Sequence, residues 1–161
     1  MIEYMNAIIK LDSYNVNSVN FSEYVKNRVL DGEFARIIYA TKYYCINGIR
    51  IHIPNHFYNI DPNTHGNILS TYITFTNHAI NILQKIERDI IEKMNLYGSE
   101  MMQFNLHDRI ASNCPIKLCR NSTAFSSIIL SISGVWKTPF TYGITYKFIP
   151  VCDNIPTPNN L

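Results

Sequence analysis

The clearest pattern along the chain is an alternation of apolar and polar positions in "SIILSISGVWKTPFTYGITYKFIPV", from Ser127 to Val151. A period of two is typical of β-strands that have one buried face. The stretch "KTP" divides the segment, and it predicts a turn because proline cannot donate to a β-ladder. The pattern therefore predicts an antiparallel hairpin with two apolar rows. The first row contains Ile128, Leu130, Ile132 and Trp136, interrupted by Gly134, and the second contains Phe140, Tyr142, Ile144, Tyr146 and Phe148.

A different period appears between Asn77 and Tyr97, where apolar residues recur every three to four positions. This spacing predicts an amphipathic helix that covers a sheet. Thr76 or Asn77 suits the N-cap of the helix, and Gly98 suits its C-terminal stop. The expected apolar stripe consists of Ala79, Leu83, Ile86, Ile90 and Met94, widened by Ile82 and Ile91.

Shorter segments predict the remaining elements. Strands are expected in "AIIKL", "EFARIIYATKYYC", "IRIHIPNHFY", "ILSTYITF" and "CPIKLCR". Phe21, Val25 and Val29 in "NFSEYVKNRVL" lie near helical spacing, whereas "MMQFNLHDRIASN" fits either a short helix or a strand. Asn59 to Asn67 reads as a loop because it contains proline, glycine and several asparagines.

The register of the central strands depends on Asn47-Gly48, a dipeptide that favours two-residue hairpin turns. With that turn, Ile46 pairs with Ile49, and directly paired residues share a face. One face then resembles a core, with Tyr44, Ile46, Ile49, Ile51 and Ile53. The opposite face carries Tyr39, Thr41, Tyr43, Cys45, Arg50 and His52.

Many short strands and one long helix in 161 residues predict a mainly β, α+β fold built on a curled antiparallel sheet. We expect a single globular domain over residues 1–152. A flexible tail rich in proline and asparagine is expected over residues 153–161.

The net charge of +2, from 14 Lys and Arg against 12 Asp and Glu, permits an anionic partner only through local sorting of charge. No apolar run approaches the roughly 20 residues of a membrane span. The first residues show no secretory signal, so the four cysteines are expected to be reduced thiols. These features predict a soluble intracellular protein with no membrane partner, in the host nucleus or cytoplasm if it is viral.

Enzyme and metal signatures are lacking in the sequence. We find no P-loop, G-x-G-x-x-G, G-x-S-x-G or H-E-x-x-H motif. His107, Cys114 and Cys119 lack the paired cysteine spacing of structural zinc sites. The sequence therefore predicts a protein that is not an enzyme, with no catalytic residues, no metal and no cofactor.

A strand face that mixes aromatic rings with cations suits single-stranded nucleic acid, because bases stack on rings while Arg and Lys contact phosphates. Tyrosines that simply pack on a sheet surface are the alternative. In the terminal hairpin, Trp136, Tyr142 and Tyr146 are structural if their row is core. If the hairpin tip projects, Trp136, Phe140 and Tyr142 become stacking candidates, with Lys137 at the turn and Lys147 on the other face.

The segment "SGVW" at Ser133 to Trp136, followed by "YGITYKF" at Tyr142 to Phe148, resembles the terminal part of single-stranded DNA-binding proteins of large DNA viruses, viral-like elements and phages. This chain has Lys137 where that motif often has an acidic residue, and only Asp153 where an acidic tail often follows. The resemblance implies an oligonucleotide/oligosaccharide-binding (OB)-like barrel that coats single-stranded DNA in viral replication, recombination or repair.

The resulting hypothesis is a homo-oligomer that binds single-stranded DNA, or RNA by the same chemistry, with little sequence specificity. The alternative is a viral structural or assembly protein whose Tyr-rich sheet surface is a subunit interface. The candidate nucleic-acid-binding residues are Tyr39, Tyr43, Arg50, His52, Trp136, Lys137 and Lys147.

Overall fold

A computed structural model describes residues 7–26, 31–61, 70–94, 101–112, 115–119 and 126–151. Within these ranges the protein has an α+β fold. Its helices are α1 (Asn77–Lys93) and α2 (Asn105–Ala111), with 3-10 turns at Leu11–Ser13, Val16–Ser18 and Asn55–Phe57. Its strands are β1 (Ile9–Lys10), β2 (Val19–Phe21), β3 (Val25–Lys26), β4 (Glu33–Ala40), β5 (Cys45–Asn47), β6 (Ile49–Ile53), β7 (Tyr58–Ile60), β8 (Ser70–Phe75), β9 (Met101–Met102), β10 (Ile116–Cys119), β11 (Ser127–Lys137) and β12 (Thr141–Val151).

Strand β11 is the centre of a nine-stranded main sheet. β12 pairs along nearly all of one side of β11, while β6 pairs with the first half of the other side and β4 with the second half. Short parallel strands follow at both ends, β1 beside β6 and β9 beside β12. β2, β3 and β5 pair with β4, and a separate antiparallel sheet has the order β10-β8-β7.

Both sheets are open, and the expected curled sheet or OB-like barrel is absent from the part of the chain that the structure describes. The main sheet ends at β1 and β9 instead of pairing its ends together. β7, β8 and β10 form their own sheet rather than closing the main one.

The terminal hairpin is confirmed, but one of its two apolar rows changes face at a β-bulge. Ile132 pairs with Tyr146 and Gly134 pairs with Thr145, so Ser133 is the extra residue. A bulge of one residue reverses the alternation of the strand. Val135 therefore enters the core, and the prediction that Trp136 continues the buried row is wrong.

The second arm of the hairpin follows the predicted pattern. Tyr142 and Ile144 are buried, and Tyr146 and Phe148 pack against the core. Phe140 instead lies in the turn and is exposed.

The predicted hairpin at Asn47-Gly48 is wrong. β5 pairs with β4 and β6 pairs with β11, so Gly48 joins two strands that have different partners. Its φ of 75° lies in the left-handed region that glycine tolerates, and its N–H donates to the carbonyl of Ile37 at 2.7 Å. The actual reversal is the turn from Thr41 to Tyr44, where the Thr41 N–H donates to the Tyr44 carbonyl at 2.9 Å.

The expected core face of the central strands survives this change of register, because alternation within each strand is independent of its partner. Ile46, Ile49, Ile51 and Ile53 are buried, and Tyr44 packs against the core while partly exposed.

The helical interpretation of "NFSEYVKNRVL" is also wrong as far as Lys26, because β2 and β3 pair with β4 there, while residues 27–30 lie outside the described residues. Pairing with a neighbouring strand overrides weak local periodicity. The strands predicted in "AIIKL", "ILSTYITF" and "CPIKLCR" are confirmed as β1, β8 and β10. "MMQFNLHDRIASN" contains both β9 and α2.

Helix α1 is confirmed with its predicted cap and stripe. The Thr76 Oγ1 accepts the Ala79 N–H at 3.3 Å. The buried stripe also includes Glu87, whose carboxylate accepts the N–H groups of Leu106 and His107 at the start of α2. α1 and α2 therefore pack together on one side of the main sheet, next to β12.

Neither helix in the described ranges is long and apolar enough to cross a membrane. Three of the predictions concern positions outside the described residues. These are residues 62–67 of the predicted loop, the helix end at Gly98 and the tail at residues 153–161.

Candidate nucleic-acid interface

The main sheet packs one face against α1 and α2 at β12, and its other face lies opposite to that contact. Ile144 and Tyr146 belong to the covered side, where the Tyr146 hydroxyl donates to the Asn105 carbonyl of α2. Because directly paired residues share a face, the register identifies the opposite side. We call this side the outer face, and it carries Lys10, Val25, Phe34, Arg36, Arg50, His52, Ser127, Ile129, Ser131, Gly134, Trp136, Gly143, Thr145, Lys147, Ile149 and Val151.

Two rows of the outer face are basic. In the first, Arg50 on β6 pairs with Ser131 on β11, which pairs with Lys147 on β12. Neighbouring strands lie about 4.8 Å apart, so the Arg50 and Lys147 backbones are about 10 Å apart across the sheet. In the next row, Lys10 pairs with His52. Lys10 and Lys147 are exposed, and Arg50 and His52 are partly exposed.

Beyond the bulge, the outer face carries two aromatic rings that lie across glycines. Phe34 pairs with Trp136, which pairs with Gly143. A Cβ at Gly143 would lie 2.9 Å from Cζ2 of Trp136, and a Cβ at Gly134 would overlap the Phe34 ring. Glycine at these positions thus lets the rings lie flat on the sheet.

The Trp136 ring is held in position by its polar atom. Its Nε1–H donates to the Ile144 carbonyl at 3.2 Å, and the side chain remains partly exposed. Because one side of the ring rests on Gly143, the exposed part is directed toward solvent. Arg36 is exposed and occupies the adjacent row, paired with Gly134. The arrangement places a fixed ring beside a cation.

The outer-face positions include no carboxylate among the paired residues of the described strands. Glu33 lies on the other face, paired with Lys137 and Lys26, and Asp12 follows β1 in a 3-10 turn. The paired residues of this face include four cations, Lys10, Arg36, Arg50 and Lys147.

Of the candidate residues, the structure brings Arg50, His52, Trp136 and Lys147 together on the outer face. Lys137 does not join them, because it pairs with the buried Tyr142 on the opposite face. Its Nζ lies 5.8 Å from the centre of the Tyr24 ring.

The tyrosine candidates are also separated from the outer face. Tyr43 projects from the turn between β4 and β5 with 79% of its surface exposed, and the Lys42 Nζ lies 4.6 Å from its ring centre. Tyr39 is only 1% exposed, and its hydroxyl accepts the Asn15 N–H at 3.0 Å. The prediction of Tyr39 as a stacking residue is wrong, because its ring is part of the core.

Sequence reasoning missed Lys10, Phe34 and Arg36. The alternation in "EFARIIYA" places Phe34 and Arg36 on the face opposite Ala35 and Ile37, so a signal was present. Their connection to Trp136 required the pairing of β4 with β11, and that of Lys10 required the parallel pairing of β1 with β6.

Neither a family model, nor a curated protein, nor a solved structure matches this chain. The functional argument therefore rests on the geometry and chemistry of the molecule itself.

The shifted pKa values among the described groups belong to packed side chains. Desolvation is the largest cause in each case: burial raises the pKa of the Tyr14, Tyr58 and Tyr146 hydroxyls and of the Glu87 carboxyl. These shifts follow from the burial of the groups. In the ranges that the structure covers, no three His, Cys, Asp or Glu side chains are arranged to hold a metal ion.

Proposed function

We propose that the outer face binds single-stranded DNA with little sequence specificity. The observation that carries the proposal is the register that aligns Arg50, Ser131 and Lys147 across three strands, beside the Phe34–Trp136 pair. Rings on a sheet surface stack on bases of any sequence, and flanking Arg and Lys contact phosphates. Both components of this recognition mode occur on one continuous face.

The dimensions of the outer face suit a short strand. Ile129, which pairs with His52, and Trp136 are seven positions apart on β11, a distance of about 24 Å at 3.4 Å per residue. The smallest sites of single OB domains cover about four nucleotides. We expect an oligonucleotide of that order to span the face from the basic rows to the aromatic pair.

The chemistry predicts a preference for single strands and a moderate salt dependence. Bases in a duplex are stacked on one another, so their faces are not available to Phe34 and Trp136. Each neutralised phosphate adds about 0.7 to the negative slope of log K against log salt for single strands. With Lys10, Arg36, Arg50 and Lys147 as the contacts, the slope is expected to be roughly −3.

The resemblance of the terminal hairpin supports a role in viral DNA replication, recombination or repair. The proposed binding mode needs an open sheet face and does not need the closed OB-like barrel that the resemblance implies. Single-stranded RNA offers the same bases and phosphates, so oligothymidine and oligouridine should be compared.

The test is fluorescence anisotropy with a labelled oligothymidine of twelve nucleotides and a duplex of equal length. Arg50→Ala and Lys147→Ala should each weaken binding to the single strand and reduce the salt slope by about 0.7. Lys117→Ala is the matched control, because Lys117 is an exposed lysine on β10 in the other sheet. Equal loss in the control, or equal affinity for the duplex, would overturn the proposal.

A second candidate function, subunit assembly, is favoured by an exposed apolar edge. Phe140, Met101 and Met102 are 78%, 70% and 46% exposed, and the Met101 N–H donates to the Phe140 carbonyl at 2.7 Å. This edge, rather than a Tyr-rich surface, would form the contact, because Tyr39 is buried. Phe140→Ser should lower the mass measured by light scattering if the edge joins subunits, whereas an unchanged mass would contradict this second function.

A further inference from the structure

A cavity of about 670 Å³ lies at the Lys10–His52 end of the outer face. Its volume is within the range of small-molecule sites. The walls come from β1 and the 3-10 turn after it, from the end of β6, from the 3-10 turn Asn55–Phe57 and from the start of α1. Three separate segments of the chain therefore converge on one concave space.

One wall of the cavity is a platform of aromatic rings. The rings of Phe57 and His78 stack with their centres 5.4 Å apart and their planes 16° apart. The His56 ring is also close to Phe57, with the two ring centres 4.3 Å apart and the planes 38° apart. Flat rings of this kind offer a stacking surface to a planar aromatic ligand.

The polar groups of the cavity suit a ligand that carries an anionic group and N–H donors. Lys10 and His52 are register partners and therefore lie side by side on one face. Asp12, on the same wall as Lys10, provides carboxylate oxygens, one of which accepts the Ser13 hydroxyl at 3.2 Å. A carboxylate disfavours a bare polyanion but can accept the N–H groups of a base.

We propose that this cavity binds one nucleotide, with its base on the Phe57–His78 platform and its phosphate between Lys10 and His52. Lys10 and His52 also belong to the outer face, so a nucleotide at the end of a bound strand would enter the cavity without leaving the basic rows. The strand as the source of that nucleotide rests on the proposed function. A free mononucleotide offers the same chemistry.

The experiment is an NMR titration of the isotope-labelled protein with deoxythymidine monophosphate, thymidine and inorganic phosphate as separate probes. The monophosphate should shift signals of Phe57, His78 and Lys10 and should bind more tightly than either part alone. If thymidine or phosphate alone binds as well as the monophosphate, the two-part site is refuted.

His78→Ala should weaken monophosphate binding by about 5-fold to 150-fold, the loss expected for one stacking ring. Lys10→Ala should weaken it as well, while Lys117→Ala should leave it unchanged. His78 and Lys10 are exposed, so these changes should not unfold the protein, and melting curves check this. Unchanged affinity in a folded His78→Ala protein would overturn the inference.

Two outcomes separate this inference from the proposed function. If the oligothymidine binds and the monophosphate does not enter the cavity, the inference fails and the proposed function stands. If the monophosphate binds in the cavity and the oligothymidine does not bind the protein, the proposed function fails and the cavity is a site for free nucleotides.

Discussion

Replacing Glu87 with alanine should destabilise the protein by about 2–4 kcal/mol. The Glu87 side chain is fully buried on α1, and its two carboxylate oxygens accept the Leu106 N–H at 2.9 Å and the His107 N–H at 2.8 Å. Each buried donor left without an acceptor costs about 1–3 kcal/mol. The expected cost for the two donors together is below the maximum for two fully buried donors, because the His107 N–H is only partly buried.

Urea unfolding followed by circular dichroism measures this change. Glu87→Gln retains the shape of the side chain and one acceptor oxygen, so its loss should be smaller, about 1–3 kcal/mol. Arg88→Ala on the exposed side of α1 is the control and should stay within about 0.5 kcal/mol of the unaltered protein. If Glu87→Ala were as stable as this control, the assigned role of Glu87 in holding α2 would be refuted.

The same residue predicts a pH dependence. Desolvation raises the pKa of the Glu87 carboxyl, and the hydrogen bonds from His107 and Leu106 lower it only in part. A carboxyl with a raised pKa binds its proton more tightly in the folded state, so its contribution to stability grows as pH falls through that pKa. Relative to Glu87→Gln, the unaltered protein should therefore gain stability from neutral pH down to the ordinary glutamate pKa, about 4.3. If the difference in stability between the unaltered protein and Glu87→Gln does not depend on pH, the raised pKa of Glu87 is contradicted.

Further predictions concern the core and the corrected register, and thermal and urea unfolding measure all of them. Leu83→Asp places an unpaired charge in the buried stripe of α1 and should unfold the protein, so a folded variant with unchanged melting temperature would show that the face is wrongly assigned. Gly48→Ala should cost about 1–3 kcal/mol, because φ is 75° and the new Cβ would lie 2.9 Å from the Ile132 carbonyl oxygen. Tyr39→Phe removes the acceptor of a backbone N–H and should cost about 1 kcal/mol, whereas Tyr43→Ala should change stability by less than about 0.5 kcal/mol. The reverse order for these two tyrosines would contradict the placement of Tyr39 in the core and of Tyr43 in an exposed turn.

Elements defined by their own periodicity could be predicted from the sequence. The stripe of α1 and the two arms of the terminal hairpin depend on the spacing of apolar residues within one segment, and both elements occur, although the first arm changes face at its bulge. The burial of Ile49, Ile51 and Ile53 was predictable for the same reason, although the partner strand assigned to them was wrong.

Pairing between distant strands could not be predicted, because alternation along one strand does not identify its neighbour. Asn47-Gly48 has the composition of a hairpin turn, yet the long-range pairing of β6 with β11 uses Gly48 as a junction. Gly134 interrupts the apolar row and is a local sign of a bulge, but only the pairing shows that the register shifts there and that Trp136 changes face. The outer face is therefore identified only by the register, whereas Tyr39 is buried because it shares the row of Ala35 and Ile37 on β4.

The most direct measurement of the central claim is the fluorescence of Trp136, the only tryptophan in the chain, during titration with unlabelled oligothymidine. A base that stacks on the exposed side of this ring should quench its emission in a saturable manner. The quenching should weaken as salt increases, and a duplex of equal length should not produce it. Binding detected by anisotropy with unchanged Trp136 emission would place the DNA elsewhere and contradict the assignment of the outer face.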